Sequence, residues 1–144
     1  MVLRSIDDAN AGRWRSIAVR ITGSDVKLPD PIKVPELMEE FIEWLHETKE
    51  HPIKIATDAH FKLVSIHPFV DGNGRTARLL MNLILISYGY PPVIIKADEC
   101  EEYISLLERA QKTGDEQGFY DYIQDCVDRS LDIYLDAAEK TLVK

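Results

Sequence analysis

Prolines and glycines divide this chain into segments in which apolar residues recur every three or four positions, the spacing of one face of a helix. Pro35 and Pro52 each stand where a helix can begin, because the first helical residue does not need its N–H. Pro68 and Gly89 each stand where a helix must end. This punctuation predicts an all-α helical bundle with helices over 35–49, 52–66, 75–88, 98–112 and from about residue 115 onward.

Residues 15–28 break the helical pattern. Ile17, Val19 and Ile21 alternate with other residues, as they would in a strand with one buried face. Residues 22–25 (T-G-S-D) are of types that are common in turns. We therefore predict a short β-hairpin, called the flap segment below.

The segment 75–88 is apolar almost all round, which predicts a helix that lies in the core. No repeat, low-complexity tract or Gly/Ser linker divides the chain. Its 144 residues also fall within the size range of one compact domain. We therefore predict a single domain over residues 1–144.

Composition excludes several classes of function. The net charge of −8 argues against non-specific binding of nucleic acid or anionic membranes, because both require a basic surface. The longest strongly apolar run, residues 79–86, is far shorter than the roughly 20 residues that span a bilayer. Residues 1–8 lack the apolar run of a secretory signal, and Cys100 and Cys126 form no C-x-x-C motif. We expect a cytoplasmic protein with reduced thiols and with no membrane or nucleic-acid partner.

The segment 67–78, H-P-F-V-D-G-N-G-R-T-A-R, lies between two predicted helices and groups residues suited to phosphate chemistry. Gly72, Asn73 and Gly74 are residue types that tolerate positive φ, so their N–H groups can form an anion-binding nest. The N-terminus of the following helix adds unsatisfied N–H groups and the positive end of its dipole. These features predict a phosphate cradle.

Four charged or titratable side chains accompany the cradle. Arg75 and Arg78 lie three residues apart on one helical face, where they can grip outer phosphates with forked donors. Asp71 is a hard carboxylate suited to Mg²⁺ that bridges phosphate oxygens. His67 supplies a base that titrates near neutral pH.

Simpler interpretations exist for single residues. An isolated histidine such as His67 is more often a capping or core residue, and Asp71 with its glycines could merely form a turn. Neither interpretation explains the paired arginines. Because His46, His51 and His60 show no metal-ligand spacing, we expect them to be structural.

The segment resembles the signature of the Fic family, H-x-F-x-[DE]-G-N-G-R-x-x-R, at every specified position. The similarity extends to the segments 11–15 (A-G-R-W-R) and 89–92 (G-Y-P-P) and covers nearly the whole chain. The resemblance implies a protein adenylyltransferase that, with Mg²⁺, transfers AMP from ATP to a Tyr, Thr or Ser hydroxyl of a target protein and releases pyrophosphate.

The same resemblance implies a role for each matching residue. His67 would be the base, Asp71 the magnesium ligand, and the hairpin a flap that aligns the target by strand addition. The remaining assignments are the catalytic residues Asn73 and Arg75, the nucleotide-binding residues Gly72, Asn73, Gly74, Arg75, Arg78, Tyr103 and Gln111, and the target-binding flap residues Ile17, Ala18 and Val19.

Three alternatives remain at this stage. The site could remove AMP from modified proteins, it could move another phosphate-containing group, or the chain could be a non-catalytic nucleotide-binding module. Gly74 argues against phosphate transfer, because the kinase-like branch of the family has lysine at this position. The intact His67 argues against a non-catalytic module.

The resemblance also bears on regulation. Many relatives carry an inhibitory helix with the pattern [ST]-x-x-x-E-[GN], whose glutamate pairs with the arginine equivalent to Arg78. No Ser or Thr of this sequence begins that pattern. We expect the inhibitory segment to have been removed from upstream, with a separate antitoxin-like protein as the alternative, and we expect the 144 residues to be active as they stand. Formation of a homodimer is left open.

Overall fold

A computed structural model of the chain describes residues 12–142. Residues outside this range include Ala11 and the N-terminal stretch that argued against a secretory signal. The described helices are α1 (Val34–Glu47), α2 (Pro52–Ile66), α3 (Asn73–Ser87), α4 (Cys100–Thr113) and α5 (Gln117–Leu142), with 3₁₀ turns at Pro31–Lys33 and Ala97–Glu99. The prediction of an all-α fold is confirmed, and the predicted helix ends lie within a few residues of the observed ones.

Local chemistry explains where the helices begin and end. Helix α2 begins at Pro52, and the preceding His51 caps it by accepting a hydrogen bond at Nδ1 from the Ile53 N–H, 3.4 Å away. Helix α4 ends at Thr113 because the following Gly114 has a φ of +73°, a left-handed conformation that glycine adopts without a steric penalty. His51 is therefore a structural histidine, as predicted.

The chain forms two compact units, of which the first ends at Met81. In this unit α1 and α2 pack against each other. Trp44 of α1 stacks on Phe41, with ring centroids 6.0 Å apart, and the ammonium group of Lys62 lies 5.0 Å from the Trp44 ring. The buried apolar residues of these two helices are Val34, Met38, Phe41, Ile55, Ala56, Ala59, Leu63, Val64 and Ile66.

The second unit begins at Asn82, and in it α4 packs against α5. Tyr103 of α4 is buried, and its ring centroid lies 6.1 Å from that of Phe119 and 6.3 Å from that of Tyr122. Arg129 of α5 forms a forked ion pair with both carboxylate oxygens of Glu99, at 2.6 and 2.9 Å. Aromatic packing and this ion pair therefore join the start of α4 to α5.

The prediction of a β-hairpin over residues 15–28 is wrong, because the two strands are not formed. The turn is present, since the Ser24 N–H donates to the carbonyl of Ile21 at 3.1 Å, but residues 12–30 contain no strand. Two carbonyl groups of the region, those of Ile17 and Pro29, instead accept hydrogen bonds from the Arg15 side chain. A two-stranded hairpin without a third strand or a packed helix is only marginally stable, which explains why alternation alone did not produce a ladder.

The prediction that the central helix lies wholly in the core is also incorrect. Ala77, Met81 and Leu85 are fully buried, whereas Leu79 and Leu83 are 61% and 65% exposed. An apolar sequence on every face predicts burial only if neighbouring elements cover every face, and within residues 12–142 one face of α3 is uncovered.

No helix in residues 12–142 is long and apolar enough to cross a membrane.

His60 of α2 is a fully buried core histidine, as predicted, and its burial has a measurable consequence. Burial, assisted by the charge of Arg78, lowers the pKa of His60 from 6.5 to about 3. The unfolded chain takes up this proton near pH 6.5 and the folded chain does not, so acid favours unfolding between pH 6.5 and 3. The expected contribution to the loss of unfolding free energy is about 1.4 kcal/mol per pH unit.

Denaturant titrations at several pH values between 6 and 4 test this prediction. His60→Gln should show a shallower fall in the free energy of unfolding than the parent, whatever its absolute stability. His46→Gln, which changes an exposed histidine of α1, is the matched control. Equal slopes for the parent and His60→Gln would contradict the prediction.

Candidate active site

His67 follows α2 and occupies a left-handed backbone conformation, with φ +53° and ψ +57°. Among the described residues it is the only one besides glycine with positive φ, a conformation that is strained for most side chains. Its N–H donates to the Leu63 carbonyl at 2.9 Å, and its Nδ1 lies 3.2 Å from the Val64 carbonyl. Because a carbonyl can only accept, Nδ1 carries the proton and the lone pair of Nε2 is available to act as a base.

The environment of His67 keeps its imidazole neutral. Partial burial is the main cause that lowers the pKa of His67 below its usual value of 6.5, and the charge of Arg15 lowers it further. The Val64 carbonyl and the charge of Asp71 act in the opposite direction. At neutral pH the side chain is therefore an unprotonated base.

Asn73 is buried and fastens the loop that follows His67. Its Oδ1 accepts a hydrogen bond from the Phe69 N–H, and its Nδ2 donates to the Phe69 carbonyl, both at 2.8 Å. The side chain thus acts as a two-point clamp on the main chain. Because Oδ1 and one of the two Nδ2 hydrogens are engaged inside the loop, the main donor that Asn73 would add to a cradle is its backbone N–H.

Of the three cradle residues, only Gly72 has positive φ, at +81°. Helix α3 already begins at Asn73, so the predicted nest of successive unusual conformations is reduced to one residue followed by a helix N-terminus. The Thr76 N–H makes the first helical bond, 2.9 Å from the Gly72 carbonyl. The N–H groups of residues 73–75 precede that bond and are the first-turn donors that a helix cannot satisfy internally.

Both motif arginines lie near this helix end. A Cβ placed on Gly74 would stand 3.4 Å from Nη1 of Arg78, so the guanidinium group extends back over the first turn of α3. Arg75 is exposed, and its Nη2 lies 3.1 Å from Oδ2 of Asp71. Two forked cations and the helix dipole therefore converge on one anion-attracting end.

Asp71 is exposed, with 69% of its side chain accessible, and its Oδ1 accepts from the Gly72 N–H at 2.6 Å. No cluster of three or more His, Cys, Asp or Glu side chains suited to a metal ion occurs in the described residues. A single exposed carboxylate nevertheless fits Mg²⁺ that arrives with a nucleotide, because such ions take one or two carboxylates and complete their coordination with phosphates and water.

Arg15 is only 3% exposed, and no local signal in the sequence marks it as a residue of the site. Its Nε donates to the His67 carbonyl at 2.8 Å, and its own N–H donates to the Pro68 carbonyl at 2.8 Å. Its two terminal nitrogens donate to the carbonyl of Ile17 in the flap segment and to the carbonyl of Pro29 directly after it, at 3.2 and 2.7 Å. Arg15 thereby connects the flap segment to the residue that carries the base.

The other predicted site residues lie in different places. Ile17 and Ala18 of the flap segment are exposed and Val19 is half-buried, and their role towards a target protein stays a prediction. The structure brings residues 67–78 together in the first unit. Tyr103 and Gln111 belong to α4 in the second unit, where Tyr103 packs among aromatic rings, and their role towards a nucleotide stays a prediction.

Comparisons with known proteins agree with the signature. Residues 1–85 match the Fic/DOC family. Over 137 residues, 93% of this chain, the sequence is 44% identical to a Drosophila virilis protein named Protein adenylyltransferase Fic. Its Drosophila melanogaster counterpart is also 44% identical. The chain spans only 28% and 27% of the length of these two relatives.

Solved structures show the same fold. Fic-1 from C. elegans (residues 134–508) superposes with a TM-score of 0.87 at 37% identity, covering 97% of this chain and 41% of that one. A Fic domain containing signaling protein from Bacteroides thetaiotaomicron superposes with a TM-score of 0.83 at 28% identity, covering 90% of this chain and 56% of that one. The chain therefore has the fold of these proteins.

Proposed function

This chain belongs to the Fic/DOC family, and from that premise we propose that it transfers AMP from ATP to a hydroxyl group of a target protein, with release of pyrophosphate. One observation carries the proposal. His67, with its Nε2 lone pair available, lies at one end of a short loop. The other end of the loop is the N-terminus of α3, and the guanidinium group of Arg78 extends over the first turn of that helix. A base and a polyphosphate site thus stand at the two ends of one loop.

The base acts on the incoming group. Nε2 of His67 takes the proton from a target hydroxyl as its oxygen attacks the α-phosphorus of ATP. The bond between the α-phosphorus and the oxygen that bridges to the β-phosphorus then breaks, and pyrophosphate leaves. Because the Val64 carbonyl holds the Nδ1–H, the ring needs no change of tautomer before it accepts the proton.

The helix end and the arginines act on the nucleotide. Backbone donors of residues 73–75 and the dipole of α3 stabilise charge that develops on the phosphates, and Arg75 and Arg78 bind the outer phosphates. Asp71 would hold Mg²⁺, which neutralises charge on the phosphate oxygens when it is bound. This division leaves His67 responsible for the hydroxyl and the remaining residues for ATP.

The flap segment and the residues on either side of it supply a surface for the target. Trp14 and Ile17 are 42% and 57% exposed, and Ile32 is 86% exposed, although all three are large apolar residues. Trp14 and Ile32 also line an open pocket of about 420 Å³ beside Pro31 and Pro35. A peptide segment from another protein that lies along the flap would cover this apolar surface and could add the strand that the flap does not form alone.

Incubation with isotopically labelled ATP and Mg²⁺ tests the proposed function. The chain itself and a panel of unrelated proteins serve as acceptors. Mass spectrometry should find an adduct of one AMP on a Tyr, Thr or Ser residue, together with one pyrophosphate released per adduct. Labelling from γ-phosphate instead of α-phosphate would indicate phosphate transfer, and tight Mg-ATP binding without any adduct would indicate a non-catalytic module.

The pH dependence of transfer should reflect the environment of His67. Since burial and Arg15 lower its pKa, the neutral base persists as the pH falls through 6.5. We expect the acid limb of kcat/KM to have its midpoint below pH 6.5, the usual value for histidine. NMR titration of the His67 ring without ATP is the control, because ATP phosphates also titrate. A limb centred at or above pH 6.5 would contradict this prediction.

A further inference from the structure

Arg15 is a buried cation whose described hydrogen-bond partners are all main-chain carbonyl groups. Its Nε and two terminal nitrogens bind three such carbonyls, those of His67, Ile17 and Pro29, at distances between 2.7 and 3.2 Å. Basic side chains are rarely this buried unless they are paired with an acid. Burial accordingly lowers the pKa of Arg15, and the charge of Asp30 opposes that shift.

The positions of the three acceptors are more informative than their number. Ile17 lies near the start of the flap segment and Pro29 directly after its end, so one guanidinium group holds the two ends of the flap segment together. The third acceptor, the His67 carbonyl, is 52 residues away in sequence and belongs to the residue with the strained left-handed backbone. A planar guanidinium can bind three divergent acceptors at once, whereas an ammonium group is a compact point charge.

We propose that Arg15 is a positioning residue that fixes the flap segment relative to the imidazole of His67. The target segment and Nε2 of His67 would then be positioned by the same side chain. The proposal rests on the function proposed above. The hydrogen bond to the His67 carbonyl supports the left-handed conformation and thereby fixes where the imidazole stands. The bonds to Ile17 and Pro29 fix the path of a flap that has no strand ladder of its own.

Two substitutions separate the parts of this role. Arg15→Met removes the charge and all side-chain donors at similar length, while Arg15→Lys keeps the charge but cannot bind three divergent carbonyls. Arg13→Met, which alters an exposed arginine two residues earlier, is the matched control. Each variant is measured for kcat, for KM of ATP and for Mg-ATP affinity by calorimetry.

We expect kcat of Arg15→Met to fall by about 10²-fold, the effect of misplacing a catalytic group by roughly 1 Å, with Mg-ATP affinity unchanged. Two NMR measurements report the cause directly. Backbone order parameters of residues 18–28 should decrease, and the ¹⁵N shifts of the His67 ring should lose the signature of a single Nδ1–H tautomer. Arg15→Lys should share the decrease in flap order, and Arg13→Met should match the parent throughout.

The outcomes are distinguishable from a failure of the proposed function. If the parent transfers no AMP, that function is wrong, but the two NMR measurements still test the anchor. Parent-like kcat, flap order and ring shifts in Arg15→Met would overturn the proposal. If Arg15→Met does not fold, Arg15→Lys decides: parent-like behaviour of this variant would overturn the proposal, because a single ammonium nitrogen cannot replace the three separate nitrogens that bind the three carbonyls.

Discussion

Replacement of His67 with alanine is expected to slow AMP transfer by about 10²- to 10⁴-fold, the usual contribution of a general base. Mg-ATP affinity should remain that of the parent, because the helix end and the arginines that would bind phosphates do not depend on the imidazole. The bond between Nδ1 and the Val64 carbonyl strengthens this expectation, since it dedicates the opposite nitrogen, Nε2, to proton transfer. Single-turnover rates and calorimetric affinities, measured on the same preparations, provide the test.

The left-handed backbone of His67 requires a second variant. Alanine tolerates a φ of +53° less well than asparagine, so a loss of activity in His67→Ala could arise from a displaced loop. His67→Asn removes the base while keeping a residue type suited to that conformation, and His46→Ala controls for loss of an exposed histidine. Transfer at the parental rate in His67→Asn would exclude His67 as the base.

Local signals account for the parts of the fold that sequence analysis predicted well. Pro52 and Gly89 act on their own backbone within one turn, so their effect does not depend on the rest of the protein. The motif was predictable for a similar reason. Residues 67–78 are contiguous, and a loop that leads into a helix brings them together by connectivity alone.

The errors arose where the outcome depends on contacts between distant segments. Alternation in the flap segment could not show whether a partner strand was present, and the apolar sequence of α3 could not show which of its faces is covered. Arg15 was overlooked because a charged residue in a short segment is normally exposed, and nothing local identifies the acceptor at His67. The contact of the Asn73 side chain with the main chain of Phe69 was likewise not foreseen, and the catalytic and nucleotide-binding roles assigned to Asn73 stay a prediction.

Substitution of Asp71 by asparagine should weaken ATP binding in the presence of Mg²⁺ but not in its absence. Asparagine keeps the shape of the side chain, and its carbonyl oxygen can still accept from the Gly72 N–H, so the loop should retain its conformation. The substitution removes the carboxylate proposed to hold Mg²⁺. We expect the gain in ATP affinity caused by Mg²⁺ to shrink by about tenfold to hundredfold, the range seen when supporting groups of metal sites are removed.

Without Mg²⁺ the same substitution should leave ATP affinity unchanged or raise it. It removes a negative charge beside the phosphates and frees Arg75 from its 3.1 Å ion pair, an exposed contact that contributes at most about 1 kcal/mol. Calorimetric titrations with ATP in saturating Mg²⁺ and in EDTA separate the two effects. Asp132→Asn, the same charge change on an exposed face of α5, is the control. A variant that loses affinity equally in both buffers would show that Asp71 supports the loop and does not bind the metal, and an undiminished Mg²⁺ gain would place the metal ligand elsewhere.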